Sequence, residues 1–432
     1  MVRKKVGTIT LALGLITVGV LLFAQNFIQL QVSDLYKYWP VLLIGLGLEM
    51  IIYMVIYGRE GENVKLSIDG LCIFFIILMG LLVSGSNFVN WKSTENSFFG
   101  IHSGGFKLGD IMYRSELNEN FSKDNISSSY GIKEVKISND YGDVKVMPSN
   151  TKSVRVEAKI WVKYTDEQKA RQYAKNAVEI KEGETTEIRP KDISEADKKD
   201  FSRANIDFTV YVPDNVKVYV DDKFGDVDVT DINANIAIDS KNGEVNADNI
   251  GGNAEVSSAF GNIQMKTVKG DISLSNKNGN IDVDDVTGQA TIDSSYGNID
   301  VKNVGKDLKV TDRNGEIEIS GVSGKAVVEN SYGNIHLKDI GGDITVNGKN
   351  GNIEARSVTG NAKIDNSYGD INYGSDNVND SSITAHTSYG DINCDKNLSV
   401  KKSTTQADIQ GTLGSGKWHI ELNTRNGNIN ID

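Results

Sequence analysis

Glycine spacing is the feature of this sequence that most restricts how the chain can fold. Nine glycines in the C-terminal half follow one another with an 18-residue period, as from Gly225 to Gly243. A fixed short period in a chain rich in Gly and Asn is typical of stacked units that share one continuous core. The nine are Gly225, Gly243, Gly261, Gly279, Gly297, Gly315, Gly333, Gly351 and Gly369.

Apolar residues keep fixed places relative to these glycines. After Gly297, for example, Ile299, Val301 and Val310 are apolar, and the residues between them are mostly polar. Apolar residues two apart predict strands with one buried face, and the absence of a helix-length apolar pattern between them excludes a βαβ sheet. The sequence therefore predicts an all-β fold over Phe224–Asp432, a β-solenoid (β-helix) of 18-residue coils with two short strands per coil.

A 36-residue superperiod overlies the 18-residue repeat. Eleven residues after successive glycines, a large aliphatic residue alternates with alanine, and the residue before each glycine alternates between an aromatic ring and asparagine. The alanines are Ala254, Ala290, Ala326 and Ala362. The candidate ligand-stacking residues are the rings that follow them by six positions, Phe260, Tyr296, Tyr332 and Tyr368.

Two interpretations of these rings stay open at this point. A close-packed core must fill the volume that each alanine leaves, and a nearby ring can do so. Alternatively, the rings form a stripe that stacks on the sugar rings of a glycan. The asparagines are preceded by cations that could lie beside the rings of neighbouring coils, namely Lys241, Lys277, Arg313 and Lys349.

The first ninety residues carry three long apolar runs, Val6–Leu30, Tyr38–Tyr57 and Leu71–Val89. Each has about the 20 residues that a helix needs to cross the hydrocarbon core of a bilayer. We therefore expect a multi-pass membrane region of three transmembrane helices in residues 1–90. Basic residues precede the first run and lie between the second and the third. Because basic residues favour the cytoplasmic side, this places the N-terminus in the cytoplasm and residues after Val89 outside.

Glu49 lies near the middle of the second apolar run. An ionised carboxylate at that depth is costly and usually has a partner. One interpretation is a contact with a partner membrane protein or a proton-sensitive switch, and the other is a protonated side chain that bonds a neighbouring helix.

The remaining segments complete the predicted domain organisation. We expect residues 91–129 to be a membrane-proximal linker and residues 130–223 to be an irregular β capping region. One exposed helix is predicted over Asp166–Val178. After Gly390 the period loosens and the chain stops without an obvious cap, which predicts an open final edge.

Two parts of the chain resemble known families. The residues GTITLALGLITVGVLLF and YWPVLLIGLGLEMIIY, within Val6–Tyr57, are similar to the region that opens LiaF-type cell-envelope stress proteins. Tyr130–Asp432 resembles the bacterial "putative adhesin" domain of β-strand repeats, through the turn at Val212-Pro213 and the recurring YGNI, NGEI and YGDI segments. This second resemblance implies a β-solenoid at the cell surface or envelope.

Several function classes are disfavoured. A net charge of −12 argues against nucleic acid as a partner. The chain has two cysteines, Cys72 in an apolar run and Cys394, so no disulfide framework is expected. The four histidines have no metal-site spacing, and the turns lack the paired glycines and aspartates of a calcium-binding β-roll. We expect no metal, no cofactor and no catalytic residues.

These features predict a membrane-anchored extracytoplasmic solenoid that binds cell wall, a glycan or an envelope protein. A role in the cell-envelope stress response is one candidate. Its other partner is the lipid bilayer, through Val6–Val89. An alternative is a mechanical spacer or assembly scaffold without a saturable ligand. A polysaccharide-cleaving β-helix enzyme is less favoured, because no coil between Phe224 and Tyr373 breaks the repeat with a cluster of acid, base and charge-stabilising groups.

Overall fold

The computed structural model describes residues 3–6, 49, 65–68, 115–129, 131–194 and 201–432. These belong to two units, Met1–Gly105 and Phe106–Asp432. In the first unit, β1 (Arg3–Val6) pairs in parallel with β2 (Lys65–Ile68). The three predicted transmembrane runs lie outside the described residues, apart from Val6 and Glu49. Among the residues that are described, no helix has both the length and the apolarity to cross a membrane.

The second unit opens with a section of mixed strand directions. One part of this section lies in the segment predicted to be linker, where the structure has a 12-residue strand that pairs antiparallel with a later one. Every second residue of that later strand is buried, so its unpaired edge needs a partner strand. The residues of the 12-residue strand, taken alone, show no pattern that predicts this pairing. The elements are β3 (Ser115–Ile126), β4 (Glu134–Asn139), β5 (Val144–Pro148), β6 (Val154–Tyr164), α1 (Glu167–Ala174), β7 (Val178–Lys181), β8 (Thr185–Pro190) and β9 (Phe201–Val212). Helix α1 lies within the predicted span, and the Asp166 side chain caps it by accepting from the Lys169 N–H at 3.2 Å.

The regular coils follow, and they contain two strands each as the sequence predicts. Each strand pairs in parallel with its equivalent in the next coil, so that Ile299 lies opposite Ile317 and Val310 opposite Val328. The inward residues of these strands are buried and form one continuous apolar core. The strands are β10 (Lys217–Asp222), β11 (Val227–Thr230), β12 (Ile236–Asn242), β13 (Val245–Ile250), β14 (Ala254–Phe260), β15 (Ile263–Val268), β16 (Ile272–Asn276), β17 (Ile281–Val286), β18 (Ala290–Ser294), β19 (Ile299–Val304), β20 (Leu308–Asn314), β21 (Ile317–Val322), β22 (Ala326–Tyr332), β23 (Ile335–Ile340), β24 (Ile344–Asn350), β25 (Ile353–Val358), β26 (Ala362–Tyr368) and β27 (Ile371–Gly374).

The coils begin to stack before residue 224, the position at which the sequence predicts that the solenoid starts. Strand β4 pairs in parallel with β10, and β5 pairs in parallel with β11, so residues 134–148 already form a coil. Beyond that coil, β8 and β7 complete one sheet, and β9, β6 and β3 complete the other. Within the described part of the chain, antiparallel pairs therefore form the first edge of both sheets.

At the other end, the chain does not finish at the edge of the stack. The elements there are a 3-10 helix (Asp376–Asp380), β28 (Ser381–Tyr389), β29 (Ile392–Cys394), β30 (Val400–Lys402), β31 (Ala407–Thr412), β32 (Trp418–Asn426) and β33 (Ile429–Ile431). The last coil, β32 and β33, lies between the coil of β26 and β27 and the coil of β28 and β29. The expected open edge at the chain terminus is therefore wrong: β31 pairs antiparallel with β28, β30 pairs antiparallel with β31, and the three-residue strand β29 ends the other sheet.

The periodic glycines stack directly on one another at one corner of the coil. Gly297 has a φ of +137°, and a Cβ placed on it would overlap the carbonyl of Gly279 in the preceding coil. Next to this stack, side-chain carbonyls bond the following coil, as where Asn280 Oδ1 accepts from the Asn298 N–H at 2.9 Å. The corner therefore needs both the positive φ and the missing side chain of glycine.

A buried polar column runs beside the glycine stack, three residues before each glycine. Its asparagines bond the glycine carbonyls: Asn276 Nδ2 donates to Gly261 O at 2.9 Å and to Gly279 O at 3.1 Å. Asp222 stands in the same column and is fully buried, and neither of its carboxylate oxygens has a hydrogen-bond partner within residues 131–194 and 201–432. Burial, reinforced by nearby carboxylates such as Asp143, raises the pKa of Asp222 to about 8.

Replacing Gly297 by alanine should strongly destabilise the solenoid, because the new methyl group meets the backbone of the preceding coil. We expect a loss of about 3 kcal/mol or more, the upper part of the range for overpacking. Gly131→Ala is the matched control, since Gly131 also has a positive φ of +79° but open space around its Cβ position. That control should cost only about 1 kcal/mol. Equal losses in denaturant unfolding of the two variants would contradict the role assigned to the stack.

Replacing Asp222 by asparagine should stabilise the protein, increasingly so towards alkaline pH. Between about pH 4 and pH 8 an unfolded Asp222 has lost its proton while the folded one keeps it, so the free energy of unfolding falls by up to roughly 1.4 kcal/mol per pH unit. Asparagine carries no such charge and can donate to the glycine carbonyls as Asn276 does. Asp221→Asn removes the same charge from the half-buried neighbour. Melting temperatures that rise equally in both variants, or a gain that is largest at pH 4, would contradict the prediction.

Candidate functional site

An exposed line of aromatic side chains follows the corner next to the glycine stack. Each ring belongs to the residue directly before a turn glycine, and between 40% and 57% of its surface is accessible. These are the large apolar side chains that the described part of the chain exposes most. We call this line the aromatic ridge; it consists of Phe224, Phe260, Tyr296, Tyr332, Tyr368 and Tyr389.

The core does not use these rings to fill the space beside the alanines. Ala326 lies opposite Leu308 in one neighbouring strand and Ile344 in the other, and all three are almost fully buried. Large residues above and below therefore share the space at each alanine. Tyr332, in the same strand as Ala326, is 56% exposed. The interpretation in which the rings fill the core space beside the alanines therefore does not hold.

Asparagines separate the rings along the ridge. Tyr332 lies opposite Asn314 on one side and Asn350 on the other, and Asn350 lies opposite Tyr368. Successive rings are therefore two coils apart, about 10 Å at the usual strand spacing. That separation exceeds the distance at which rings stack on each other. Each interval between rings holds the asparagine of the intervening coil.

The first end of the ridge is closed by a contact between rings of adjacent coils. Tyr141 stacks on Phe224 with ring centroids 5.1 Å apart and an interplanar angle of 7°. Beside them, Lys223 Nζ donates to Asp140 Oδ1 at 2.5 Å, and that hydrogen bond raises the pKa of Lys223. The ridge therefore begins with a self-satisfied pair and continues with separated rings.

A column of cations accompanies the asparagines of the ridge. Lys241, Lys277, Arg313, Lys349 and Arg425 directly precede Asn242, Asn278, Asn314, Asn350 and Asn426. All five cations are exposed, and none has an ion-pair partner or lies over a ring among the described residues. In the ring-bearing coils the same place holds Ala259, Ser295, Ser331, Ser367 and Ser388. Rings and unpaired cations therefore alternate from coil to coil.

The last ring of the ridge adjoins a short polar relay. His386 Nδ1 lies 2.7 Å from Asp408 Oδ1, and His386 Nε2 lies 3.3 Å from Ser388 Oγ. The hydrogen bond from His386 lowers the pKa of Asp408. A catalytic role in hydrolysis would require a site that excludes water and supplies donors for an oxyanion. The side chains of His386 on β28 and Asp408 on β31 are instead about two-fifths exposed. The arrangement acts as a cross-strand link between β28 and β31.

One predicted site residue, Glu49, lies outside the solenoid. It is helical and buried in its own unit. Its proposed contact with a partner membrane protein stays a prediction. As for metals, no three His, Cys, Asp or Glu side chains across the described ranges are arranged to hold an ion.

The last ring of the ridge, Tyr389, is not among the residues that the sequence predicts for the site. Tyr389 opens a YGDI segment like that of Tyr368, but its glycine, Gly390, falls outside the 18-residue period. In the structure Asn426 lies between these two rings, opposite Tyr368 on one side and Tyr389 on the other. The alternation of rings and asparagines in space therefore continues through the inserted last coil, and the NGNI segment at its turn was the available signal.

Comparison with protein families gives two matches. The model described as Toastrack DUF4097 matches residues 132–321 and 265–432, which together span more than half of the chain. The model of the LiaI-LiaF-like transmembrane region matches residues 9–51. No curated protein matches the chain.

Solved structures provide distant similarities. A "putative cell adhesion protein" from Clostridium sporogenes shares 12% identity, covering 73% of this chain and 99% of that one, with a TM-score of 0.21. A "putative adhesin" from Parabacteroides distasonis shares 11% identity, covering 74% of this chain and 97% of that one, with a TM-score of 0.25.

Proposed function

The chain belongs to the Toastrack DUF4097 family, and on that premise we propose that its solenoid projects outside the cell and binds an envelope component through the aromatic ridge. The N-terminal LiaI-LiaF-like transmembrane region anchors the protein in the membrane. The same region motivates a place for the protein in the cell-envelope stress response.

The pairing of β1 with β2 supports the proposed membrane topology. Arg3–Val6 leads into the first predicted span, which begins at Val6, and Lys65–Ile68 precedes the third. Two strands that share backbone hydrogen bonds must lie on the same side of a bilayer. Their parallel direction suits segments that both lead into it, since Arg3 pairs with Lys65 and Val6 with Ile68. The basic residues of these strands favour the cytoplasmic side.

The exposure of the ridge is the single observation that carries the proposed binding. Removing the surface of an aromatic ring from water is favourable. A monomeric protein therefore rarely exposes a long row of rings unless the row binds something. The packing explanation would require buried rings, and Phe260 and Tyr332 are more than half exposed. A pure spacer has no need of such a row.

The topology predicts opposite labelling of two thiols by a membrane-impermeant maleimide. Cys394 is a free, partly exposed cysteine of the solenoid, so it should react in intact wall-stripped cells once Cys72→Ser removes the other native thiol. In a Cys72→Ser, Cys394→Ser background, a thiol introduced by Asn63→Cys should react only after permeabilisation. Reaction of the Asn63→Cys thiol in intact cells would show that this loop is outside.

The binding proposal predicts a selective effect of the ridge rings. The triple variant Tyr296→Ala, Tyr332→Ala, Tyr368→Ala should reduce the affinity of the full chain, in detergent, for purified cell-wall fragments by about tenfold or more, each ring contributing roughly 0.5–1.5 kcal/mol. Its melting temperature should change little, because exposed side chains contribute little to the core.

The matched control for this experiment keeps the rings and removes the hydroxyls. Tyr296→Phe, Tyr332→Phe, Tyr368→Phe should bind like the native chain, since Phe224 and Phe260 occupy equivalent places. Non-saturable binding by the native chain, or equal binding by the alanine variant, would favour a mechanical spacer instead.

A further inference from the structure

The unpaired cations beside the aromatic ridge indicate which chemical class of ligand the ridge accepts. We propose, building on the binding function above, that the ridge binds an extended glycan that carries regularly spaced anionic groups and lies along the solenoid axis.

The charge pattern is the first argument. Only some cations elsewhere on the solenoid are paired, as Lys302 Nζ is with Asp300 Oδ2 at 2.6 Å and Lys363 Nζ is with Glu421 Oε1 at 3.2 Å. The five ridge cations, Lys241, Lys277, Arg313, Lys349 and Arg425, have no such partner among the described residues, although the chain carries a net charge of −12. Unpaired cations in one line on an acidic protein favour a line of anions.

Neighbouring carboxylates do not neutralise this line. In the ring-bearing coils, Asp293, Glu329 and Asp365 stand three residues before the ring on the outward face of the same sheet. Asp365 lies 3.9 Å from Lys363, and none of the three forms an ion pair with a ridge cation. The arrangement therefore leaves the cations available while the flanking carboxylates restrict where an anion can sit.

The spacing is the second argument. Both the cations and the rings of the regular coils recur every two coils, about 10 Å. In-register stacking holds this interval constant from Lys241 to Lys349. A polymer whose charged groups recur once per two sugar units matches such an interval, whereas a compact ligand would use one gap only. Rings suit the apolar faces of sugars, and cations suit carboxylate or phosphate groups.

Single-stranded nucleic acid also combines anions with groups that stack on rings. The proposed location outside the cell favours a glycan. The choice between the two classes is an outcome of the test below.

The test measures binding of the full chain in detergent to hyaluronan, which carries one carboxylate per two sugar units, and to a phosphomannan, which carries phosphate groups. Neutral chitin oligosaccharide, polyglutamate and single-stranded DNA serve as comparison probes. The quintuple variant Lys241→Gln, Lys277→Gln, Arg313→Gln, Lys349→Gln, Arg425→Gln should weaken binding to an anionic glycan by about tenfold or more and flatten its salt dependence. The control is Lys266→Gln, Lys302→Gln, Lys309→Gln, Lys338→Gln, Lys363→Gln, which removes the same charge elsewhere on the solenoid and should change the affinity less than about twofold.

The outcomes separate this inference from the proposed function. If the ridge-cation variant binds like the native chain while the ring variant does not, the ligand is not anionic and the binding function stands. Equal losses in both charge variants would overturn the assignment of the cations to the ridge. Preference for single-stranded DNA, or equal affinity for polyglutamate, would overturn the glycan class. Failure of the native chain to bind any of these probes or wall fragments would overturn both proposals.

Discussion

The in-register parallel backbone ladder is the interaction on which the rest of this structure depends. Each strand bonds its equivalent in the next coil, so each position of the coil lies directly above the same position of its neighbour. A residue type that suits one coil must therefore suit its copies as well. The glycine stack follows from this constraint, because a Cβ at Gly279 would meet the carbonyl of Gly261. The backbone approach at that corner leaves no alternative to glycine.

The same ladder aligns the outward side chains of successive coils in columns. Side chains that point outward are repeated at constant intervals, and a two-coil superperiod yields two interleaved rows, rings in one and asparagines with their cations in the other. The recognition capacity of such a surface comes from its length and its repetition. This is why the ridge would suit an extended partner better than a small molecule. The hydrogen bond between His386 and Asp408 links β28 to β31.

The ends of the stack show how the repeat is protected. Parallel coils leave unpaired backbone groups at both ends, and such edges invite association with other chains. Antiparallel strands cover the first edge of both sheets, and β31 covers β28 near the other end. Insertion of the last coil next to Tyr368 also places β33 between β27 and β29, and Arg356 Nη1 lies 2.7 Å from Asp432 Oδ2. Asp222, in the buried polar column, lacks such protection, because neither of its carboxylate oxygens has a hydrogen-bond partner among the described residues.

The sequence by itself determined the coil. The 18-residue period, the alternation of apolar and polar residues and the glycine column are local or strictly periodic, so they fixed the two strands per coil, the inward positions and helix α1. It could not decide whether Tyr296 and Tyr332 are buried, because exposure depends on how Leu308 and Ile344 of adjacent coils share the space beside Ala326. It also could not place β3 beside β6 or the last coil between two earlier ones. Those pairings join segments that are distant in the chain and carry no period, and only the packing of the whole unit selects them.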